Sequence, residues 1–119
     1  MSSIGTDIVE IPRIESAINR WGEHFLNRIY TEAEIALCGS RVEYFALVFA
    51  AKEAVMKVLG TGAKGVNWRE IEIFPDDRSK PLVKLYGQAK ARAEELNLNE
   101  LSISLSDTKQ LALAVVIST

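Results

Sequence analysis

From Phe45 to Leu59 the chain reads FALVFAAKEAVMKVL, and only Lys52, Glu53 and Lys57 interrupt the apolar residues. The pattern predicts a helix from about Glu43 to Leu59, and a helix that is apolar on nearly every side must be wrapped by the rest of its domain. At ~100° per residue, Lys52 falls within the stripe of Phe45, Phe49, Met56 and Leu59, while Glu53 and Lys57 share another face with Ala46 and Ala50. Two readings of these charges are open. In one, Glu53 and Lys57 form an i,i+4 pair worth ~0.2–0.5 kcal/mol, and Lys52 extends its ammonium group to water. In the other, a bound metal ion or phosphate offsets the desolvation that a charge suffers on a mainly buried helix.

Asp7 bears on that choice. It interrupts the run IGTDIVEI, although aspartate is depleted in strands. From Ser3 to Val9 the residues Ile4, Thr6 and Ile8 alternate with Gly5, Asp7 and Val9, which predicts a strand. Asp7 there is either an edge-strand charge that discourages aggregation or one half of a site. If the strand packs beside the central helix, Asp7 and Glu53 bring two hard carboxylates to one point. Magnesium suits such a pair, because it takes one or two protein carboxylates and completes its shell with waters and substrate phosphates. Lys57, one turn beyond Glu53, is then placed to neutralise phosphate oxygens. The following Gly60-Thr61-Gly62 and Gly65 could let backbone approach a ligand, with Lys64 adding charge. A plain helix-ending glycine explains Gly60 equally well, since the dipole at a helix C-terminus disfavours anions.

The remaining elements follow from punctuation and period. Pro12 ends the first strand, and Ile14, Ala17, Ile18 and Trp21 carry a helical period as far as Gly22. Thr31 to Glu34 matches a capping box that opens a short helix. Trp68–Phe74 and Pro81–Tyr86 read as strands, Gln88–Leu96 as a helix, and Leu101–Asp107 with Leu111–Ile117 as a terminal hairpin. The expected fold is α+β, a single domain over residues 1–119 with a mainly antiparallel sheet packed around the long buried helix.

With 14 basic and 16 acidic side chains and a net charge of −2, the 119 residues suggest neither disorder nor bulk attraction to nucleic acid. Cys38 and His24 are the only residues of their kinds, which excludes an intrachain disulfide and argues against a structural zinc site. Cys38 is expected to be a buried small hydrophobe. No apolar stretch reaches the ~20 residues of a bilayer span and no secretory signal opens the chain, so no membrane association is expected and the cytoplasm is the expected compartment.

Gly5-Thr6-Asp7 with Arg13, and Phe45-x3-Phe49-x2-Lys52-Glu53-Ala54-x2-Lys57 with the following GTG turn, resemble the signature of bacterial holo-acyl-carrier-protein synthases, which are 4′-phosphopantetheinyl transferases. The resemblance continues through Trp68–Ile73, Lys80-Pro81 and Ser102–Ser106, so it covers essentially the whole chain. It implies magnesium held by Asp7 and Glu53, and coenzyme A phosphates held partly by Lys57 near Gly60, Gly62 and Lys64. It also implies docking of an acyl carrier protein through Arg13, and a homotrimer with active sites between subunits. The reaction implied is transfer of 4′-phosphopantetheine from coenzyme A to a carrier serine, with adenosine 3′,5′-bisphosphate leaving. The proton acceptor is either a metal-bound water or the Glu53 carboxylate. Acidic carriers call for a basic docking surface, and Arg13 and Arg20, seven residues apart, share a helix face with Arg28 nearby. One departure is Asp107, which stands where many members of the family have histidine. The rival readings are a non-catalytic nucleotide-binding or trimeric assembly module on the same scaffold, and a transferase serving carriers of polyketide or peptide synthesis.

Overall fold

A computed structural model describes residues 3–60 and 65–119. Strand β1 (Ser3–Glu10) leads into helices α1 (Ile11–Trp21), α2 (Glu23–Ile29), α3 (Glu32–Cys38) and α4 (Val42–Leu59). A 3-10 turn at Trp68–Glu70 precedes strands β2 (Ile71–Pro75) and β3 (Pro81–Leu85), helix α5 (Gly87–Glu95), and strands β4 (Leu101–Asp107) and β5 (Leu111–Ser118). The strands form two antiparallel sheets, one ordered β1-β5-β4 and the other pairing β2 with β3. The α+β class and the buried central helix are as the sequence predicts.

Helix α4 is the axis of the core. Its residues Ala46, Ala50, Ala51, Ala54, Val55 and Leu59 are completely buried, and the apolar side chains of β1, β5, α1 and β2 close around it. Alanine is what lets strands come this near, because it brings little bulk between the backbones. Gly5 takes the approach to its limit, since a Cβ at that position would overlap the carbonyl oxygen of Ala54 and stand 3.0 Å from Val58 Cγ2. Gly5→Ala is therefore expected to destabilise the protein by about 1–3 kcal/mol or more, as overpacking against backbone does. A thermal melt unchanged from wild type would show that β1 has room to retreat.

The same contact fixes the facing of β1. Gly5, Asp7 and Val9 turn toward α4, while Ile4 (65% exposed) and Ile8 (58%) lie on the outer face. In register with them on β5 are Ile117 and Leu113, also exposed, so an apolar ladder runs across the outside of the three-stranded sheet. Burial of Cys38 agrees with its expected role as a small hydrophobe, and burial raises its thiol pKa to about 11.

One element was not predicted and one local reading is corrected. The stretch from Glu23 to Ile29 forms the helix α2, which no sequence pattern announced, and Trp68 belongs to a 3-10 turn with a capping box at Asn67 and Glu70 instead of opening a strand. A further correction concerns Lys52. It does not extend to water but is fully buried, 2.6 Å from Glu34 Oε1. The capping-box residue Glu34 is thus also the counter-ion of the central helix.

Candidate active site

Asp7 is carried by β1, opposite Ala114 of β5, and Glu53 and Lys57 are carried one turn apart by α4. The alternation of β1 and the spacing on α4 bring all three together. Lys57 Nζ donates to the Thr6 carbonyl oxygen at 2.7 Å and lies 3.3 Å from Asp7 Oδ1. Lys57 therefore bridges helix to strand, and among the described residues no Glu53–Lys57 ion pair forms, contrary to the i,i+4 reading. Its side chain remains 54% exposed, whereas that of Asp7 is 11% exposed, so the lysine stands at the mouth of the site and the aspartate at its floor.

The second oxygen of Asp7 is the informative atom. Asp7 Oδ2 is buried and lacks a hydrogen-bond partner among the described residues. Nearly every buried polar oxygen in a folded protein has a partner, so an orphan is a place where an ion or a water belongs. Glu53 faces the same point. Its pKa is raised, first by desolvation and then by the nearby Asp7 carboxylate, while Lys57 and Arg13 pull in the opposite direction. Two carboxylates brought together with one oxygen unpaired fit a hard divalent cation, which relieves both the repulsion and the desolvation. Among the described residues no cluster of three or more potential metal-ligating side chains forms. A pair suffices for magnesium, which ordinarily keeps several waters and shares substrate phosphates.

A pH dependence follows from the direction of the Glu53 shift. A carboxyl whose pKa is higher in the folded than in the unfolded protein stabilises the fold at low pH and loses that contribution as pH rises through the folded value. Metal-free protein is thus expected to lose thermal stability as pH rises above the ordinary carboxylate range. Magnesium should oppose the loss by favouring the ionised pair, and Glu53→Gln should flatten the slope. Melting curves across pH, with and without magnesium, measure all three.

The other predicted site residues are placed as follows. Gly60 ends α4 in the left-handed conformation (φ 72°), its N–H donating to the Met56 and Lys57 carbonyls, so a helix-stop role accounts for it. Gly62 and Lys64 lie outside the described residues. Arg13 and Arg20 are exposed on α1, with Arg20 lying 4.9 Å from the Trp21 ring centroid; Arg28 is exposed on the separate helix α2. Asp107 closes β4 opposite Ala112, and the turn after it is held by the Thr108 hydroxyl, which accepts from the Gln110 and Leu111 N–H groups. Sequence reasoning missed Glu34, whose capping-box spacing was visible but whose partner Lys52 was not. It also missed a cavity of about 620 Å³ between α3, α4, β2–β3 and β4, with Arg41 and Lys80 on its lining and none of Asp7, Glu53 or Lys57.

A floor of two carboxylates with a lysine at its mouth is an arrangement chemically suited to a hard cation and a phosphate. Residues 3–116 match the ACPS family model of the 4′-phosphopantetheinyl transferase superfamily. A holo-[acyl-carrier-protein] synthase of Dehalococcoides mccartyi (strain CBDB1) is 51% identical over 114 residues, covering 96% of this chain and 95% of that protein. One of Herpetosiphon aurantiacus is 43% identical over 120 residues, covering 95% and 94%. The crystal structure of the Helicobacter pylori holo-[acyl-carrier-protein] synthase in complex with coenzyme A superposes with a TM-score of 0.90 at 36% identity, covering 98% of this chain and all of that one. The chain belongs to the holo-[acyl-carrier-protein] synthase family of the 4′-phosphopantetheinyl transferase superfamily.

Proposed function

We propose that the chain transfers 4′-phosphopantetheine from coenzyme A to a serine of an apo acyl carrier protein, using magnesium held by Asp7 and Glu53. The orphaned Asp7 Oδ2 beside Glu53 is the observation that carries the metal assignment. In the reaction the serine oxygen bonds to the phosphorus that bears pantetheine. The diphosphate P–O bond breaks, and adenosine 3′,5′-bisphosphate leaves with the bonding electrons while the serine proton passes to a base. Asp7 and Glu53 would hold the magnesium ion, which when bound would supply neutralisation of the charge spreading over the phosphates. Lys57 reaches into the same space from the exposed side and holds phosphate oxygens as a point charge. No covalent enzyme intermediate is required, so in-line positioning is what the site contributes.

Arg13, whose charge is felt at Glu53, and the exposed Arg20 and Arg28 form the docking surface for an acidic carrier. Arg13→Glu is expected to raise the KM for the carrier far more than the KM for coenzyme A; equal effects would remove Arg13 from docking. The homotrimer belongs to the same reading, and the exposed apolar ladder of Ile4, Ile8, Leu113 and Ile117 supports it, as a face of this kind marks an interaction surface. A neighbouring subunit's cavity, with cationic Arg41 and Lys80, offers phosphates a wall of suitable charge. Among the described residues no helix is long and apolar enough to cross a membrane, and the reading places the reaction in the cytoplasm. The test is to incubate the chain with apo carrier, coenzyme A and magnesium, and to weigh the carrier by mass spectrometry. The mass gain of one phosphopantetheine, dependent on magnesium, is the expected result. An unmodified carrier would favour the non-catalytic module.

A further inference from the structure

Helix α4 is apolar on almost every side, so the hydrophobic effect alone fixes its rotation about its own axis only weakly. Its catalytic face nevertheless has to point at β1. Lys52 lies one residue before Glu53, ~100° away around the axis, and faces a different neighbourhood. There its three ammonium protons have three acceptors: Glu34 Oε1 at 2.6 Å, the Ile29 carbonyl at 2.8 Å and the Trp68 carbonyl at 3.1 Å. Both Glu34 oxygens are bonded in turn, Oε1 also accepting from the Thr31 N–H at 2.9 Å and Oε2 from the Ile73 N–H at 2.7 Å. Both side chains are fully buried. The pair thus ties α4 to the end of α2, to α3, to the 3-10 turn and to β2, all away from the metal site.

We propose that the buried Glu34–Lys52 pair is a positioning device, which locks the rotation of α4 and so aims Glu53 at Asp7. The inference rests on the metal reading above. A buried ion pair adds little net stability relative to apolar groups of similar size, but its directional bonds are satisfied in one geometry only. The Gly5–Ala54 contact sets how closely α4 approaches β1; the three Lys52 bonds add directional restraint from another side of the helix, and a rotation of α4 would break all of them. Glu34 and Lys52 touch no reacting atom; they act through Glu53.

The double variant Glu34→Gln/Lys52→Met removes both charges together, leaving no buried ion without its partner. Binding of manganese(II) to the metal-free protein, followed by electron paramagnetic resonance, reads the site directly, and a thermal melt reads the fold. The expected result is a folded variant whose manganese affinity is lower by roughly 10–100-fold, the range typical of residues that orient metal ligands. Its activity at saturating coenzyme A should recover as magnesium is raised. A folded variant that binds manganese with wild-type affinity overturns the inference and assigns the pair to stability alone. If the double variant does not fold, Glu34→Gln alone is measured: a weakened manganese affinity supports the device, and an unchanged one overturns it. Wild-type protein that binds no manganese would instead defeat the metal reading itself, a distinct outcome.

Discussion

Asp7→Ala and Glu53→Gln are each expected to lower transfer by about 10³-fold or more, because a metal Lewis acid contributes several kcal/mol and each 1.36 kcal/mol is a factor of ten. Both proteins should remain folded. Asp7 Oδ2 holds no hydrogen bond, the Oδ1 contact with the half-exposed Lys57 is of the kind that contributes little to stability, and removing either carboxylate relieves the repulsion that helps to raise the Glu53 pKa. The metal-free Glu53→Gln protein should melt no lower than wild type at neutral pH, since a partly desolvated acid whose charged form the site disfavours has been replaced by a neutral amide. Activity is measured by the mass of the carrier, and folding by circular dichroism and melting. Near-normal turnover of both variants at limiting magnesium would sink the metal assignment. A loss of activity accompanied by unfolding would mean that the carboxylates support the strand–helix contact instead.

The other large effect is expected on the outside of the sheet. Ile4→Lys combined with Ile8→Lys places two like charges on a face that is already exposed, so the folded chain should tolerate both. A closed trimer should not, because burying unpaired ammonium groups in an apolar interface costs several kcal/mol. Sedimentation of wild type is expected to give three times the chain mass, and sedimentation of the double variant a single chain mass. Transfer should fall with dispersal, because the proposed reading places each active site between two subunits. Mixed trimers of a metal-site variant and a variant altered on the neighbouring wall at Arg41 and Lys80 should regain part of the activity. A fully active monomer would end the shared-site proposal and leave the transferase assignment standing.

Most of the architecture was legible because its signals are local. The α4 period, the alternation of β1 around Asp7 and the hairpin of β4 and β5 each lie within one stretch of chain, and each element falls within a residue or two of its expected bounds. Asp7 and Glu53 meet because the two patterns, combined, leave both on facing surfaces. Less legible were features decided at a distance. Helix α2 has only seven residues and no side-chain cap, so tertiary contact and not local sequence makes it helical. Lys52 could not be seen as buried, because its partner Glu34 is on another helix and already had a sufficient local role as a cap. Lys57 had a sequence neighbour at the right spacing in Glu53, yet the strand carbonyl of Thr6 and the Asp7 carboxylate compete successfully for it.

Strand order gives the site a history as well as a shape. β5, the last strand, is the middle strand, and among the described residues β1 hydrogen-bonds to no other strand. Ser3 and Ser118, which bond to each other, are 115 positions apart. A chain emerging from the ribosome therefore holds Asp7 on an unpaired strand until the final hairpin has been made, however early α4 has formed. Pairings of such long sequence separation close late, after the loop entropy between them has been overcome. On the proposed metal reading, capture of the ion at Asp7 would have to await this pairing: shortening the chain within residues 111–118 is expected to leave Asp7 without the strand neighbour that holds it in place.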